Sequence, residues 1–446
     1  MRHNHKKTNW AMIAGLVGKS LSLATMIAAV FLLGCTANDP PAESKPGEEL
    51  RSTKQRVVQP EIPSSDMEEL SVGNTAFAFD LYRELKEKDD DNLFFSPLSI
   101  SIALAMTYGG ALGDTKEQMA DVLHFTLPDE DLHAAFNALD QALESRGENA
   151  QGSDGDPFRL NVVNALWGQT GYPFKMDFLD LLALNYGAGM TLLDFAAAPE
   201  PARIMINDWV ADQTENRILD LIPEGAISGL TRLVLTNAVY FNAAWLHPFE
   251  EEKTTPGEFQ TPGEIVTVDM MHQTEFVRYA EFEDGVAVEL PYDGEELSMV
   301  IVLPEEGSFD AFESTTSAQT ISQVLGAMTY QYVELSLPKF SFTSDFALGE
   351  TLEEMGMSDA FDDMMADFNA MAETHELYIS EVIHKAFVSV NEEGTEAAAA
   401  TAVIMDGRGM AEEPVEMKVD RPFIFFIRDI QTGAVVFLGR VMDPTK

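Results

Sequence analysis

The chain of 446 residues contains little cysteine and little positive charge. Its single cysteine, Cys35, excludes a disulfide within the chain and any metal site built on a cysteine pair. Only 28 lysine and arginine residues stand against 74 aspartate and glutamate residues, a formal net charge of −46. Such a surface repels polyanions, so we expect no nucleic-acid partner and no heparin binding. The hydrophobic content of 46% is that of a globular protein, which places the acidic residues on its surface.

Sequence signs of catalysis are also lacking. There is no G-x-S-x-G elbow, no H-E-x-x-H motif and no glycine-rich dinucleotide loop. The eight histidines are scattered and show no metal-ligand spacing. Catalytic triads assemble in space, so their absence from the sequence is weak evidence. We nevertheless predict a protein that is not an enzyme and that uses no cofactor and no metal.

The N-terminus has the pattern of an export signal. A basic start, residues 2–7, precedes an almost entirely apolar run, residues 11–34, which ends in LLG before Cys35. This ending resembles the bacterial lipobox, in which the cysteine is lipidated. The alternative is a transmembrane anchor, because the run is just long enough to span a bilayer. We predict a lipoprotein signal peptide over residues 1–34 and a lipid anchor at Cys35. The location would then be extracytoplasmic, in the cell envelope at the outer membrane or cell surface, or in the extracellular space.

Two regions of different composition follow the apolar run. Residues 35–66 are polar and rich in proline, glutamate, serine and lysine, which predicts a disordered tether. Residues 67–446 show no second linker and no internal repeat. We therefore predict one large domain after the tether.

An unusual stretch, EEGTEAAAATAVIMDGRG, occupies residues 392–409. It lies between two predicted strands, Lys385–Val390 and Arg421–Arg428. If it became a strand, alternate side chains from Thr395 onward would form a small, uncharged face able to fit between existing strands. The arginine near its end, flanked by glycines, is suitable bait for an arginine-specific protease. The alternative is an alanine-rich flexible linker.

Two further segments carry polar residues in apolar surroundings. In NLFFSPLSI, residues 92–100, a short strand precedes Ser96, which is placed to cap a helix with Pro97 in its first turn. In LTRLVLTNAVYFNAAW, residues 230–245, Asn237 is surrounded by apolar residues and therefore needs hydrogen-bond partners. A single satisfied core asparagine is the simpler alternative.

These motifs, in this order, resemble the serpins (serine protease inhibitors), and the resemblance covers about residues 67–446. It implies an α+β fold with three β-sheets, about eight to nine helices and an exposed reactive-centre loop. It also implies a metastable monomer. The family motifs place Ser96, Ser99, Asn237 and His384 in a network where the main sheet opens, and Trp245 where the loop enters.

The resemblance also implies a mechanism. A protease cleaves the bond between Arg408 and Gly409, and the loop then inserts into the main sheet and traps the acyl-enzyme. The target would be a trypsin-like serine protease or, alternatively, an arginine-specific cysteine protease. A non-inhibitory serpin acting as a binding or chaperone module is the second hypothesis. The loop would be exposed before cleavage, and its hinge would comprise Glu392, Gly394, Thr395, Glu396, Ala397, Ala398, Ala399, Ala400 and Thr401.

Overall fold

The computed structural model describes residues 47–148, 150–152, 155, 157–373, 376–395 and 413–446. Within these ranges there are nine α-helices and two short 3₁₀ turns, at Glu251–Lys253 and Asp359–Phe361. The helices are α1 (Ser64–Lys86), α2 (Pro97–Tyr108), α3 (Gly113–Leu123), α4 (Asp129–Glu144), α5 (Met176–Tyr186), α6 (Pro199–Gln213), α7 (Phe309–Thr315), α8 (Ala318–Ala327) and α9 (Gly349–Glu354).

Seven of the described strands, numbered in chain order, form the main sheet. Their spatial order is β1 (Glu48–Leu50), β4 (Met190–Leu193), β3 (Arg159–Gln169), β5 (Leu233–Ala244), β13 (Gly394–Thr395), β12 (Ile379–Val390) and β11 (Phe340–Ala347). Strands β5 and β12 also pair directly with each other, in parallel. The two-residue strand β13 is wedged between them at one end.

Of the other nine described strands, eight form a continuous path that turns through the long strand β7. The path is β14 (Val415–Lys418), β10 (Thr329–Pro338), β7 (Ile265–Phe282), β8 (Gly285–Pro291), β9 (Leu297–Pro304), β15 (Phe423–Asp429), β16 (Val435–Val441) and β2 (Leu93–Phe95), with β6 (Thr255–Gln260) paired to β7. Strand β7 pairs with β6 up to Met270 and with β10 up to Tyr279, and from Arg278 onward it pairs with β8. We call β6, β7, β10 and β14 the loop sheet. The predicted α+β fold with three sheets is confirmed.

Helix α2 supports the main sheet from below. All its residues are buried, as a helix that is hydrophobic all round must be. It begins as predicted, because the Ser96 side chain accepts a hydrogen bond from the Ser99 amide and Pro97 occupies the first helical position. The helix packs against both β3 and β5, so the start of α2 lies under the middle of the main sheet.

The predicted tether is wrong for the residues from 47 onward. Glu48–Leu50 pairs in antiparallel register with Met190–Leu192 and becomes the edge strand of the main sheet. Farther along, the Arg56 side chain binds Asp140 and Asn137 on α4. Polar composition did not exclude this arrangement, because strand pairing uses the backbone and Arg56 is held by charged partners. Residues 1–46, including Cys35, lie outside the described residues.

Helix α1, at Ser64–Lys86, follows the segment that contains β1 and Arg56. No helix within the described ranges is long and apolar enough to cross a membrane.

Candidate functional site

A row of polar side chains crosses the middle of the main sheet. Asn164 on β3 lies opposite Asn237 on β5, and Asn237 lies opposite His384 on β12. The Asn237 side chain donates to Asn164 Oδ1, and its own Oδ1 bonds His384 Nδ1. Asn237 and His384 are fully buried. This row bridges β5 and β12.

Residues at the start of helix α2 form hydrogen bonds with this row of side chains. The Ser96 amide donates to His384 Nε2 at 3.1 Å, and the Ser96 hydroxyl donates to the Val436 carbonyl at 2.7 Å. The Ser99 hydroxyl accepts from the Asn237 side chain. The structure therefore brings Ser96, Ser99, Asn237 and His384 together in one network.

Asn164 belongs to the same network, since the Ser99 hydroxyl donates to its Oδ1 at 3.2 Å. Sequence reasoning missed it. The one available signal was a polar residue inside the apolar run of β3, the same signal that marked Asn237 on β5.

Burial fixes the protonation state of His384. Its pKa is lowered from 6.5 to about 3 because its completely buried ring loses the hydration that would stabilise the charged form. The neutral ring has one N–H, and the Ser96 amide already donates to Nε2. The proton is therefore on Nδ1 and is donated to Asn237, so each ring nitrogen has one partner.

The hinge departs from one expectation. The resemblance predicts an exposed Thr395 before cleavage, but this residue is 2% exposed and lies inside the main sheet. Gly394 and Thr395 pair in antiparallel register with Ala244 and Ala243 of β5. Thr395 also pairs with Val390 of β12. The first hinge residues have therefore already entered the sheet in the uncleaved chain.

Close packing explains why these two residue types occupy the entrance. A Cβ added at Gly394 would lie 2.1 Å from the Ala243 carbonyl oxygen, so no side chain fits there. The hydroxyl of the small Thr395 side chain bonds the Tyr292 hydroxyl at 2.7 Å. Tyr292 was not found from the sequence, because it lies 103 positions away on a different hairpin.

Trp245, the predicted loop-entry residue, contacts the turn before Gly394. Its ring stacks on that of Tyr292 with centroids 4.7 Å apart, and its indole N–H donates to the Asn391 carbonyl at 3.0 Å. Its amide also donates to the Glu393 carbonyl at 2.8 Å. Trp245 thus holds the turn that precedes Gly394.

Glu392 anchors the start of the hinge. Its carboxylate forms an ion pair with Lys339 at 2.8 Å and accepts from the Thr254 hydroxyl at 2.7 Å. Burial alone would raise the pKa of Glu392, but Lys339 and Thr254 outweigh it and the pKa is lowered. Lys339 and Thr254 are site residues that sequence reasoning missed. The predicted residues Glu396, Ala397, Ala398, Ala399, Ala400, Thr401, Arg408 and Gly409 lie outside the described part of the chain.

Comparison with known proteins agrees with this geometry. The family model of the serpins, the serine protease inhibitors, matches residues 72–444. The chain belongs to the serpin family. A curated serpin-like protein of Thermococcus kodakarensis, itself uncharacterized, is 41% identical over 436 residues, covering 95% of this serpin and 98% of the relative.

A characterised relative and a solved structure extend the comparison. The leukocyte elastase inhibitor of Homo sapiens is 38% identical over 393 residues, covering 85% of this serpin and all of the relative. The native crystal structure of the thermophilic serpin tengpin superposes with a TM-score of 0.77 at 30% identity. That match covers 88% of this serpin and 97% of tengpin. The family relationship supports protease inhibition in general terms.

Proposed function

We propose that this serpin inhibits a trypsin-like serine protease as a suicide substrate cleaved between Arg408 and Gly409. The observation that carries the proposal is strand β13, because Gly394 and Thr395 lie between β5 and β12 and run antiparallel to both. The chain after Thr395 continues with Glu396 and then with the small residues AAAAT. Insertion would then extend a strand that has already begun.

The direct pairing of β5 with β12 covers only part of their length, which supports the proposed separation of the two strands. Direct pairing runs from Ile379–Leu233 to Ala386–Val239 and stops there. Thr395 begins its own pairing higher up, at Ala243 and Val390. An inserting strand would replace the direct pairs with two antiparallel ladders and bury its small side chains. Bulky residues on that strand would cost about 1–3 kcal/mol each through overpacking.

Trapping requires loop insertion to be faster than hydrolysis of the acyl-enzyme. The protease nucleophile attacks the Arg408 carbonyl, the bond to Gly409 breaks, and an acyl-enzyme forms. Insertion then carries the attached enzyme away before water hydrolyses the ester. Arg408 is the only lysine or arginine between Lys385 and Lys418, which supports its assignment as the bait. An arginine-specific cysteine protease is the second candidate target, since the same residue would fit its pocket.

A denaturing gel after mixing with trypsin tests the proposal. We expect a covalent complex and a released C-terminal fragment beginning at Gly409, identified by mass spectrometry. Arg408→Leu should abolish both, because the trypsin pocket selects a cation. Cleavage at Arg408 without a complex would instead favour a non-inhibitory serpin that acts as a binding or chaperone module.

We further propose that Cys35 carries the lipid that anchors this serpin, as a monomer, to the cell envelope. The lipobox-like sequence before Cys35 supports this location. Cys35→Ser should move the protein from the membrane fraction to the soluble fraction and leave trypsin inhibition unchanged. A variant that still sediments with membranes would instead favour retention of the apolar run as an anchor. The net charge of −46 leads us to expect no acceleration of inhibition by heparin.

A further inference from the structure

Aromatic side chains are exposed on the loop sheet. Phe276 on β7 is 60% exposed and Tyr330 on β10 is 73% exposed. Tyr332 packs beside Phe276, with ring centroids 4.9 Å apart. The partly exposed Ile430 lies with Phe276 and Tyr330 around a shallow pocket. We call Phe276, Tyr330, Tyr332 and Ile430 the aromatic patch.

Folding alone does not account for the patch. Side chains alternate between the two faces of a strand, so Val277 and Val333 point into the core while Phe276 and Tyr332 point outward. Outward positions of a sheet with one solvated face are normally polar. Contiguous exposed apolar groups of this kind commonly mark a surface that binds another protein.

The aromatic patch lies partly on β10, the strand that pairs with the strand following the reactive-centre loop. Strand β14, into which the loop ends, pairs in parallel with β10 beginning at Val415 and Val333. Pro414, the exposed residue before Val415, lies one position before this pairing, as Tyr332 does on β10. Arg408 is seven residues before Val415, a distance of at most about 25 Å in a fully extended chain. A protease bound at Arg408 is thus within reach of the patch.

Charge indicates which partner fits. The exposed Glu334 lies two residues from Tyr332 on the same face of β10, and it pairs with the exposed Glu416 of β14. These carboxylates give the patch an acidic edge that favours a cationic partner. A second copy of this serpin would carry the same net charge of −46 and would be repelled.

We propose that the aromatic patch is a docking surface for the target protease, which places a cationic and apolar part of its own surface there while its active site holds Arg408. This inference rests on the proposed function and adds a second point of recognition to it. Exposed aromatic residues with few rotatable bonds are well suited to this role, because little conformational entropy is lost when they are covered. The patch would speed the formation of the first complex and would leave the insertion step unchanged.

The test uses the full chain, with trypsin as the probe protease. The double variant Phe276→Ala, Tyr330→Ala should lower the second-order rate constant of inhibition about tenfold, as truncation of two contact aromatics commonly does. The number of serpin molecules consumed per trapped protease should stay unchanged. The matched control is Ile265→Ala, since Ile265 is 62% exposed on the same strand but eleven residues away. The control should inhibit at the wild-type rate.

The possible results separate this proposal from the one on which it rests. An equal rate for the double variant and wild type would overturn the docking surface, while the complex itself would still uphold inhibition. Failure of wild type to form any complex would overturn both. Sedimentation velocity adds a third outcome. If wild type is a dimer and the double variant is a monomer, the patch binds a second copy of the serpin and not the protease.

Discussion

His384 links strand β5 to the start of helix α2, because one of its ring nitrogens donates a hydrogen bond and the other accepts one. Nδ1 donates to Asn237 on β5, while Nε2 accepts from the Ser96 amide at the start of α2. A second proton on Nε2 would face the Ser96 N–H, leaving two donors and no acceptor. The network is therefore intact only with a neutral ring, and protonation is expected to weaken the seam between β5 and β12.

This residue should make the stability of the native form depend on pH. The His384 pKa is 6.5 in the unfolded chain and about 3 in the folded protein, so only the unfolded chain binds the proton between those values. Its contribution is complete above pH 6.5 and is lost as the pH falls toward 3. At about 1.4 kcal/mol per pH unit, His384 should contribute about 2 kcal/mol less to the free energy of unfolding at pH 5 than at pH 7.

Urea unfolding of wild type and of His384→Gln at both pH values would measure this loss. Glutamine can donate and accept at the same two contacts but does not titrate. The variant should therefore lose about 2 kcal/mol less stability between pH 7 and pH 5 than wild type does. Equal losses in the two proteins would show that other groups carry the acid sensitivity.

Strand β13 is the short segment at the start of the loop that already lies in the main sheet. It contributes only Gly394 and Thr395, yet both pair with β5, and Thr395 also pairs with β12. Below it the direct pairing of β5 with β12 is intact. Under the proposed mechanism, further insertion would require the network around Asn237 to part.

Thr395→Arg tests the role of this element. An arginine would have to bury an unpaired charge or leave the sheet, and the burial cost of several kcal/mol favours leaving. Loss of the hydrogen bond to Tyr292 costs only about 1 kcal/mol, so the native fold should persist. Trypsin should still cleave after Arg408, but a denaturing gel should show no stable complex.

The matched control for this variant is Thr395→Ser, which keeps the hydroxyl that bonds Tyr292. It should form the complex as wild type does. A complex of Thr395→Arg at the wild-type yield would mean that entry of this residue into the sheet is not needed for inhibition.

The segment from β1 to Arg56 forms a second element, at the far edge of the main sheet. Strand β1 covers the edge of β4, while Arg56 binds Asp140 and Glu144 on α4. Burial raises the pKa of Asp140, and Arg56 opposes that rise. Arg56 therefore makes the charged form of Asp140 tolerable at neutral pH.

Arg56→Leu should lower the free energy of unfolding by about 2 kcal/mol at pH 7, because a largely buried carboxylate loses its partner. Without Arg56 the folded-state pKa of Asp140 should rise further above its unfolded value. The native form then takes up the proton first, so the loss should shrink as the pH falls. Urea unfolding at pH 7 and pH 5 would measure this.

The control for Arg56 is Glu144→Gln, since the Glu144 side chain is 60% exposed and its ion pair should contribute little. If Arg56→Leu is as stable as this control, the segment before α1 is not held by its charges.

For the whole molecule, the sequence predicts best what depends on local chemistry. The cap at Ser96 follows from residues close in the chain, and the fold class follows from ordered motifs. The partners Lys339 and Tyr292 could not be predicted, because each contacts the hinge only after distant elements have packed together.

Two errors have a common cause. The sequence predicts a tether before α1 because the residues are polar, and the resemblance to the serpins predicts an exposed Thr395. Both segments form strand pairs through the backbone, which leaves no mark on side-chain pattern when a strand is only two or three residues long.

We propose that this serpin is held short of its most stable form and that it reaches that form by inserting the cleaved loop. The most direct test is the melting temperature of the intact protein and of the protein after reaction with one molar equivalent of trypsin, when it is cleaved at Arg408 and carries the trapped enzyme. The cleaved form should melt at least about 10 °C higher, since the new strand adds two ladders of hydrogen bonds and buried side chains to the main sheet. An unchanged or lower melting temperature after cleavage at Arg408 would contradict the claim.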